Sequence, residues 1–144
     1  MKTHVFQPYL INVFCFYKAL QKDLNSKLLV FIRMNISKED LLRINQGFGG
    51  NLRSGSSIDF AFDVIDNKKI GIYKKLAYLF RAILVDHPFS DGNKRTAMFL
   101  ALSFASEYKK QIDEEVLVHQ IVSIAKKNEA NIRNIEWRLK NAIK

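Results

Sequence analysis

Hydrophobic positions recur at helical spacing through most of the chain. Over residues 69–86 the pattern predicts an amphipathic helix, because the apolar side chains lie three or four positions apart: Ile72, Leu76, Leu79, Phe80 and Ile83. A further helix is predicted from about Asn93 to about Tyr108, and its stretch AMFLALSFA is apolar on nearly every side. That pattern is typical of a helix that is buried all round.

Shorter patterns predict the remaining elements. Ser37 and Asp40 have the spacing of a capping box and predict the start of a short helix, and the apolar residues 58–65 favour another. Asp113 and Asn131 precede two more helices, whose inward positions are Val116, Leu117, Ile121, Ile124, Ile132, Ile135, Trp137 and Leu139. We interpret Trp137 as an anchor in the core. The sequence therefore predicts an all-α fold of five or six helices.

Two segments do not fit this helical pattern. Residues 47–57, GFGGNLRSGSS, hold four of the six glycines and are predicted to form a loop or hairpin. Near the amino terminus, residues 9–17 are mostly apolar but too few to span a bilayer. We interpret residues 1–33 as an extension, either an extra helix or a poorly ordered segment, and residues 34–144 as the functional domain.

Composition and charge narrow the class of protein. A single cysteine excludes an internal disulfide and favours a reducing compartment, so we expect a cytoplasmic protein without a membrane anchor. The net charge of +9 favours anionic partners such as nucleotide phosphates, nucleic acid or an acidic protein. A solvated basic surface explains the charge equally well.

A short polar stretch, HPFSDGNKRT at residues 87–96, lies between two long apolar segments. A glycine directly before a helix lets successive backbone N–H groups point outward, and these add to the positive end of the helix dipole. Gly92 and Asn93 occupy that place, and Lys94 and Arg95 add two cations in the first helical turn. The arrangement predicts an anion site, and phosphate fits it best because arginine can hold two of its oxygens.

The same stretch carries a carboxylate and an imidazole. Asp91 would repel a phosphate unless Mg²⁺ bridged the two, as in many nucleotide sites. His87 has the side chain that most readily accepts a proton at neutral pH. Each of these residues has an ordinary structural explanation on its own. Together they predict transfer of a phosphate-containing group to a hydroxyl.

A helix-turn-helix module that binds DNA is an alternative. In that interpretation residues 93–96 would lead a recognition helix into the major groove. The linker at residues 87–92 is longer than the usual turn of such a module. The helix that follows is also too apolar to present a polar face, so direct binding of nucleic acid is not expected.

HPFSDGNKRT resembles the signature of the Fic/Doc proteins, whose Fic branch reads HPFx[DE]GNGRxxR. The resemblance extends over residues 34–144 and implies a compact helical core with this loop between two central helices. It implies that His87 is the general base, that Asp91 holds Mg²⁺, and that Phe89 anchors the loop. By the same resemblance the phosphates of ATP are bound by the residues that follow: Gly92, Asn93, Lys94 and Arg95.

Two positions depart from the Fic branch and are similar to the death-on-curing (Doc) toxin branch. Lys94 and Met98 stand where proteins that transfer AMP have glycine and a second arginine. The resemblance to Doc implies transfer of the γ-phosphate of ATP to a threonine or serine of a translation elongation factor, with AMP transfer as the alternative.

The resemblance also implies two contacts with other proteins. A flap that docks the target is expected in the glycine-rich stretch, at Asn51, Leu52, Arg53 and Ser54. Many members carry an inhibitory helix with the motif [ST]xxxE[GN], but here Tyr108 follows the only stretch with its spacing, Ser103 to Glu107. A separate antitoxin protein, acidic enough to bind a basic surface, is therefore expected.

Overall fold

The computed structural model describes residues 36–144, which contain six α-helices and two isolated β-bridges. The helices are α1 Lys38–Gly47, α2 Ser56–Ile65, α3 Ile72–Leu84, α4 Asn93–Glu107, α5 Glu114–Lys127 and α6 Ile132–Ala142. This confirms the all-α prediction. The interpretation of residues 1–33 concerns a segment outside the described residues. Within residues 36–144, no helix combines the length and apolar character needed to cross a bilayer.

Side-chain caps fix the starts of three helices where the sequence predicted them. The Ser37 hydroxyl accepts a hydrogen bond from the Asp40 N–H, and the Asp40 carboxylate accepts one from the Ser37 N–H. Asp113 caps α5 and Asn131 caps α6, each through its side-chain oxygen. Each cap satisfies backbone donors that have no partner inside the helix.

Helix α4 forms the centre of the core. Every residue from position 96 to position 105 is buried, and α1, α3 and α5 pack around the helix. Helix α6 closes the other side of α3 and also contacts α5. The prediction of a helix buried all round is confirmed for residues 96–105, and only the two ends of α4, residues 93–95 and 106–107, reach the surface.

The prediction that Trp137 anchors the core is wrong, since 67% of this residue is exposed. Ile135 and Leu139 are fully buried on the inward face of α6. Successive residues of an α-helix are about 100° apart, so Trp137, two positions after Ile135, lies on the opposite side. Helical position therefore outweighs the general tendency of tryptophan to be buried.

Candidate active site

The loop that joins α3 to α4, residues 85–92, brings the polar stretch to the tip of the core helix. Its backbone takes the left-handed conformation twice, at His87 with φ 47° and at Gly92 with φ 74°. A Cβ atom at Gly92 would lie 3.0 Å from the Phe48 Cβ and 3.1 Å from the Asn45 Nδ2. Glycine is therefore required at position 92 both by the dihedral angle and by the lack of space.

Two side chains inside the loop hold its shape. Phe89 is 1% exposed and inserts into the core. The Asn93 side chain closes the loop, because its Nδ2 donates to the Phe89 carbonyl at 3.0 Å and its Oδ1 accepts from the Phe89 N–H at 3.3 Å. Asn93 thus offers the site its backbone N–H, while its side chain is used to position Phe89.

Asn45, in α1, supports the loop from below and was missed by the sequence analysis. This residue is fully buried, and its Nδ2 donates to the Asp91 carbonyl at 2.9 Å and to the Thr96 hydroxyl at 3.2 Å. Its Oδ1 has no hydrogen-bond partner among residues 36–144. Gly50 packs so closely here that a Cβ would lie 2.2 Å from both the Asn45 Oδ1 and the Asp91 carbonyl oxygen.

A cavity of about 480 Å³ opens in front of this loop. Its polar wall comes from the loop and the first turn of α4, and its apolar wall comes from α5; the residues are His87, Ser90, Asp91, Gly92, Asn93, Lys94, Arg95, Val118, Ile121 and Val122. All the residues predicted for proton transfer, metal binding and phosphate binding therefore line one cavity. The sequence analysis did not predict the apolar wall. Along α5, the apolar residues that face the cavity recur at the same helical spacing as those that face the core, so the pattern does not separate the two sets.

Positive charge dominates the polar wall. Gly92 gives α4 no side-chain cap, so the dipole of the helix is directed at the cavity, where the exposed Lys94 and the partly buried Arg95 also lie. The Arg95 guanidinium lies 3.3 Å from the Asp91 Oδ2 and 5.8 Å from the centroid of the Phe48 ring. The other Asp91 oxygen accepts a hydrogen bond of 2.7 Å from the Gly92 N–H.

Asp91 also decides whether a divalent cation fits the site. Among residues 36–144 no cluster of three or more His, Cys, Asp or Glu side chains could hold a metal by itself. Mg²⁺ is commonly held by one or two carboxylates together with water and substrate phosphates, and so does not need such a cluster. The exposed Asp91 carboxylate, at the start of α4 beside Lys94 and Arg95, fits a Mg²⁺ that arrives with a nucleotide.

Residues 51–54, predicted as the flap, run antiparallel to residues 88–90. Leu52 pairs with Phe89, the Arg53 N–H donates to the Pro88 carbonyl at 2.7 Å, and the Ser90 N–H donates to the Asn51 carbonyl at 2.9 Å. In this pairing the N–H and C=O of Leu52 itself face away from the loop. The segment therefore lies beside the loop but outside the lining of this cavity, and it presents a backbone edge on its other side.

The DNA-binding alternative needs a recognition helix with an exposed face. Residues 96–105 of α4 are all buried, so α4 cannot lie in a major groove. The burial of α4 therefore does not fit a helix-turn-helix module that reads DNA with this helix.

Comparison with known proteins agrees with the geometry. Residues 35–105, from the segment before α1 to the last turns of α4, match the model of the Fic/DOC family. No curated protein and no solved structure gives a significant match to the chain. This match is consistent with the helical fold and with the loop at the tip of α4, and it makes residues 35–105 similar to the Fic/Doc family.

Proposed function

We propose that this protein is a phosphotransferase that moves the γ-phosphate of ATP to a threonine or serine hydroxyl of a target protein. By its resemblance to Doc, the target is a translation elongation factor, and the modification blocks translation. The observation that carries the proposal is the single cavity in which an imidazole, a carboxylate and two cations meet at the uncapped start of α4. Such an arrangement suits phosphoryl transfer, which depends on positioning and on stabilising charge.

In this proposal His87 accepts the proton of the acceptor hydroxyl. The hydroxyl oxygen bonds to the γ-phosphorus, the bond from that phosphorus to the β–γ bridging oxygen breaks, and ADP leaves. Lys94, Arg95 and the free N–H groups of the first turn of α4 bind the phosphate oxygens. Asp91 would hold Mg²⁺, which would supply further neutralisation of phosphate charge when bound.

The wall formed by α5 gives the nucleotide an apolar surface. Val118 and Val122 are partly exposed in the cavity, and Ile121 is buried behind them. A purine base has apolar faces and buries them well against aliphatic side chains. We assign the base of ATP to this wall, with its phosphates directed towards Lys94 and Arg95.

Two positions favour phosphate transfer over AMP transfer. Lys94 is exposed and lines the cavity, where a glycine would leave the backbone N–H groups open to close contact with a phosphate. Met98 is 2% exposed and lies in the core, so nothing at this position reaches the nucleotide. Lys94 and Met98 thus stand in place of the glycine and the second arginine of the proteins that transfer AMP. We infer that ATP binds with its γ-phosphate nearest His87.

The free edge of the flap supports docking of the acceptor. Leu52 is 42% exposed, and its outward N–H and C=O can pair with an extended segment of the target. This pairing would hold the acceptor hydroxyl beside His87. We also propose that a separate acidic antitoxin protein binds this chain, attracted by its net charge of +9.

ATP labelled at either the α- or the γ-phosphate tests the reaction. The protein is incubated with MgATP and a cell lysate, and the His87→Ala variant gives the background. We expect γ-label on threonine or serine of one main acceptor, and no transfer of α-label. Transfer of α-label by the unmodified protein would establish AMP transfer instead. Lys94→Gly should weaken the transfer of γ-label.

A further inference from the structure

A second cavity, of about 490 Å³, lies next to the α3–α4 loop and is not used by the proposed chemistry. The flap, α2, α3 and the start of the loop form its walls. The wall residues that matter here are Ser54, Ser57, Phe60, Tyr78, Arg81 and Asp86. Asp86 directly precedes His87, and Ser54 ends the flap, so this cavity is adjacent to the place where an acceptor hydroxyl must lie.

Arg81 is the one basic residue in the wall of this cavity. Its Nε–H is enclosed by protein and has no hydrogen-bond acceptor among residues 36–144. No carboxylate of the described residues lies within ion-pair distance of its guanidinium, and this includes Asp86 in the same wall. Buried donors are nearly always paired in proteins, so Arg81 is an exception among residues 36–144. Its two terminal nitrogens are not enclosed in this way and are open to an acceptor from outside the described residues.

The wall of this cavity also contains two aromatic residues. Phe60 is 55% exposed although it is a large apolar residue, and its ring meets Tyr78 edge to face at a centroid distance of 6.0 Å. Such a pair gives a rigid apolar surface that can cover the methylene groups of a bound side chain. The hydroxyl of Ser57 adds a polar group that can donate a hydrogen bond.

We propose that this cavity binds an acidic side chain of the acceptor protein, an aspartate or glutamate close in sequence to the modified hydroxyl, because the cavity adjoins His87 through Asp86. Arginine binds a carboxylate through charge-assisted hydrogen bonds, and the guanidinium of Arg81 has no carboxylate partner among residues 36–144. Asp86 in the same wall disfavours ligands of higher negative charge, so one carboxylate fits better than a phosphate. This inference rests on the proposed protein substrate and adds a rule for its selection.

The test begins with the acceptor identified by the labelled ATP. Its modified hydroxyl is mapped, and the neighbouring acidic residue is replaced by the corresponding amide. We expect kcat/KM to fall roughly ten- to a hundredfold, because the charged hydrogen bonds to Arg81 are lost. Arg81→Glu should cause a similar fall with the natural acceptor, while an acceptor with lysine at that position should recover at least part of it.

Two further variants distinguish an effect on acceptor selection from an effect on folding. Arg81→Gln keeps most of the side chain without its charge and should show the same loss as Arg81→Glu. Lys68→Glu makes the same change of net charge as Arg81→Glu at an exposed turn between α2 and α3 and should leave kcat/KM within about twofold, as expected for a surface substitution. An acceptor without a nearby acidic residue, or an unchanged kcat/KM for Arg81→Gln, would overturn the inference. Absence of any label from ATP would instead remove the proposed function, and this inference with it.

Discussion

Helices α4 and α5 start in opposite ways. Helix α5 begins with Asp113, which caps the Val116 N–H at 3.1 Å, and continues with two glutamates in its first turn. Helix α4 begins at a glycine that offers no cap, and two cations follow in its first turn. The start of α5 therefore follows the rules for a stable helix, while the start of α4 opposes the helix dipole.

This difference indicates that the start of α5 serves the stability of the fold, while the start of α4 serves the candidate site. A local arrangement that costs stability persists only where the surrounding fold supports it, and such arrangements concentrate at functional sites. The support for α4 comes from the buried Asn45, from Gly50 packed against it, and from Phe89 in the core. Substitutions in the two regions should accordingly have opposite signatures, with loss of activity at one start and loss of stability at the other.

The largest expected effect comes from His87→Ala. A general base contributes about 10²- to 10⁴-fold to turnover, so this variant should lose transfer of labelled phosphate by at least that factor. Since His87 is exposed, its helix content by circular dichroism should be unchanged. Full activity in a folded His87→Ala protein would exclude the imidazole from the reaction.

His87→Gly provides a matched variant. The left-handed conformation costs a residue with a side chain about 1–2 kcal/mol, and glycine avoids this cost at φ 47°. We expect His87→Gly to be as inactive as His87→Ala but more stable to urea. An activity difference between the two would indicate that the backbone, as well as the imidazole, contributes to turnover.

Gly50→Ala should disrupt the support of the loop. The new methyl group would lie against the Asn45 Oδ1 and the Asp91 carbonyl, so both must move. Overpacking of this kind typically lowers the free energy of unfolding by about 1–3 kcal/mol, and displacement of Asp91 should weaken MgATP binding. Gly47→Ala is the control, because nothing lies within 4 Å of its Cβ. Urea unfolding and nucleotide titration measure both effects.

Asp113→Ala should affect stability alone. Removal of a helix cap costs about 1 kcal/mol, and α5 contributes to the cavity only from Val118 onward. We therefore expect a lower free energy of unfolding with an unchanged rate of phosphate transfer. If transfer falls in proportion to stability, the start of α5 is not independent of the site.

The smallest effect should come from Lys94→Glu, with the opposite sign. A carboxylate near a helix N-terminus is favourable by about 0.3–1 kcal/mol, so this variant should be slightly more stable than the natural protein. It should also show no rise in melting temperature with MgATP, whereas we expect such a rise for the natural protein. A less stable Lys94→Glu variant would mean that Lys94 stabilises the loop.

The elements of the fold were predictable because their signals are local. Caps at Ser37, Asp113 and Asn131 and the apolar stretch of α4 each lie within one segment of sequence. Asn45 gave no such signal, since a polar residue in a short amphipathic helix is normally on the solvent side. Its role depends on contacts with residues 46 and 51 positions further along the chain. The cavity beside Arg81 was equally hidden, because it forms between α2, α3 and the flap.

The burial of α4 predicts how slowly its backbone amides exchange with solvent. Residues 96–105 lie in the centre of the core, so their amides should exchange only when the whole domain unfolds. The anion site at the tip of α4 is anchored to that slowest-exchanging segment and cannot open by fraying of the helix. Under the proposed function, a change of acceptor would not need to disturb this segment, because the exposed flap and the wall around Arg81 lie outside it.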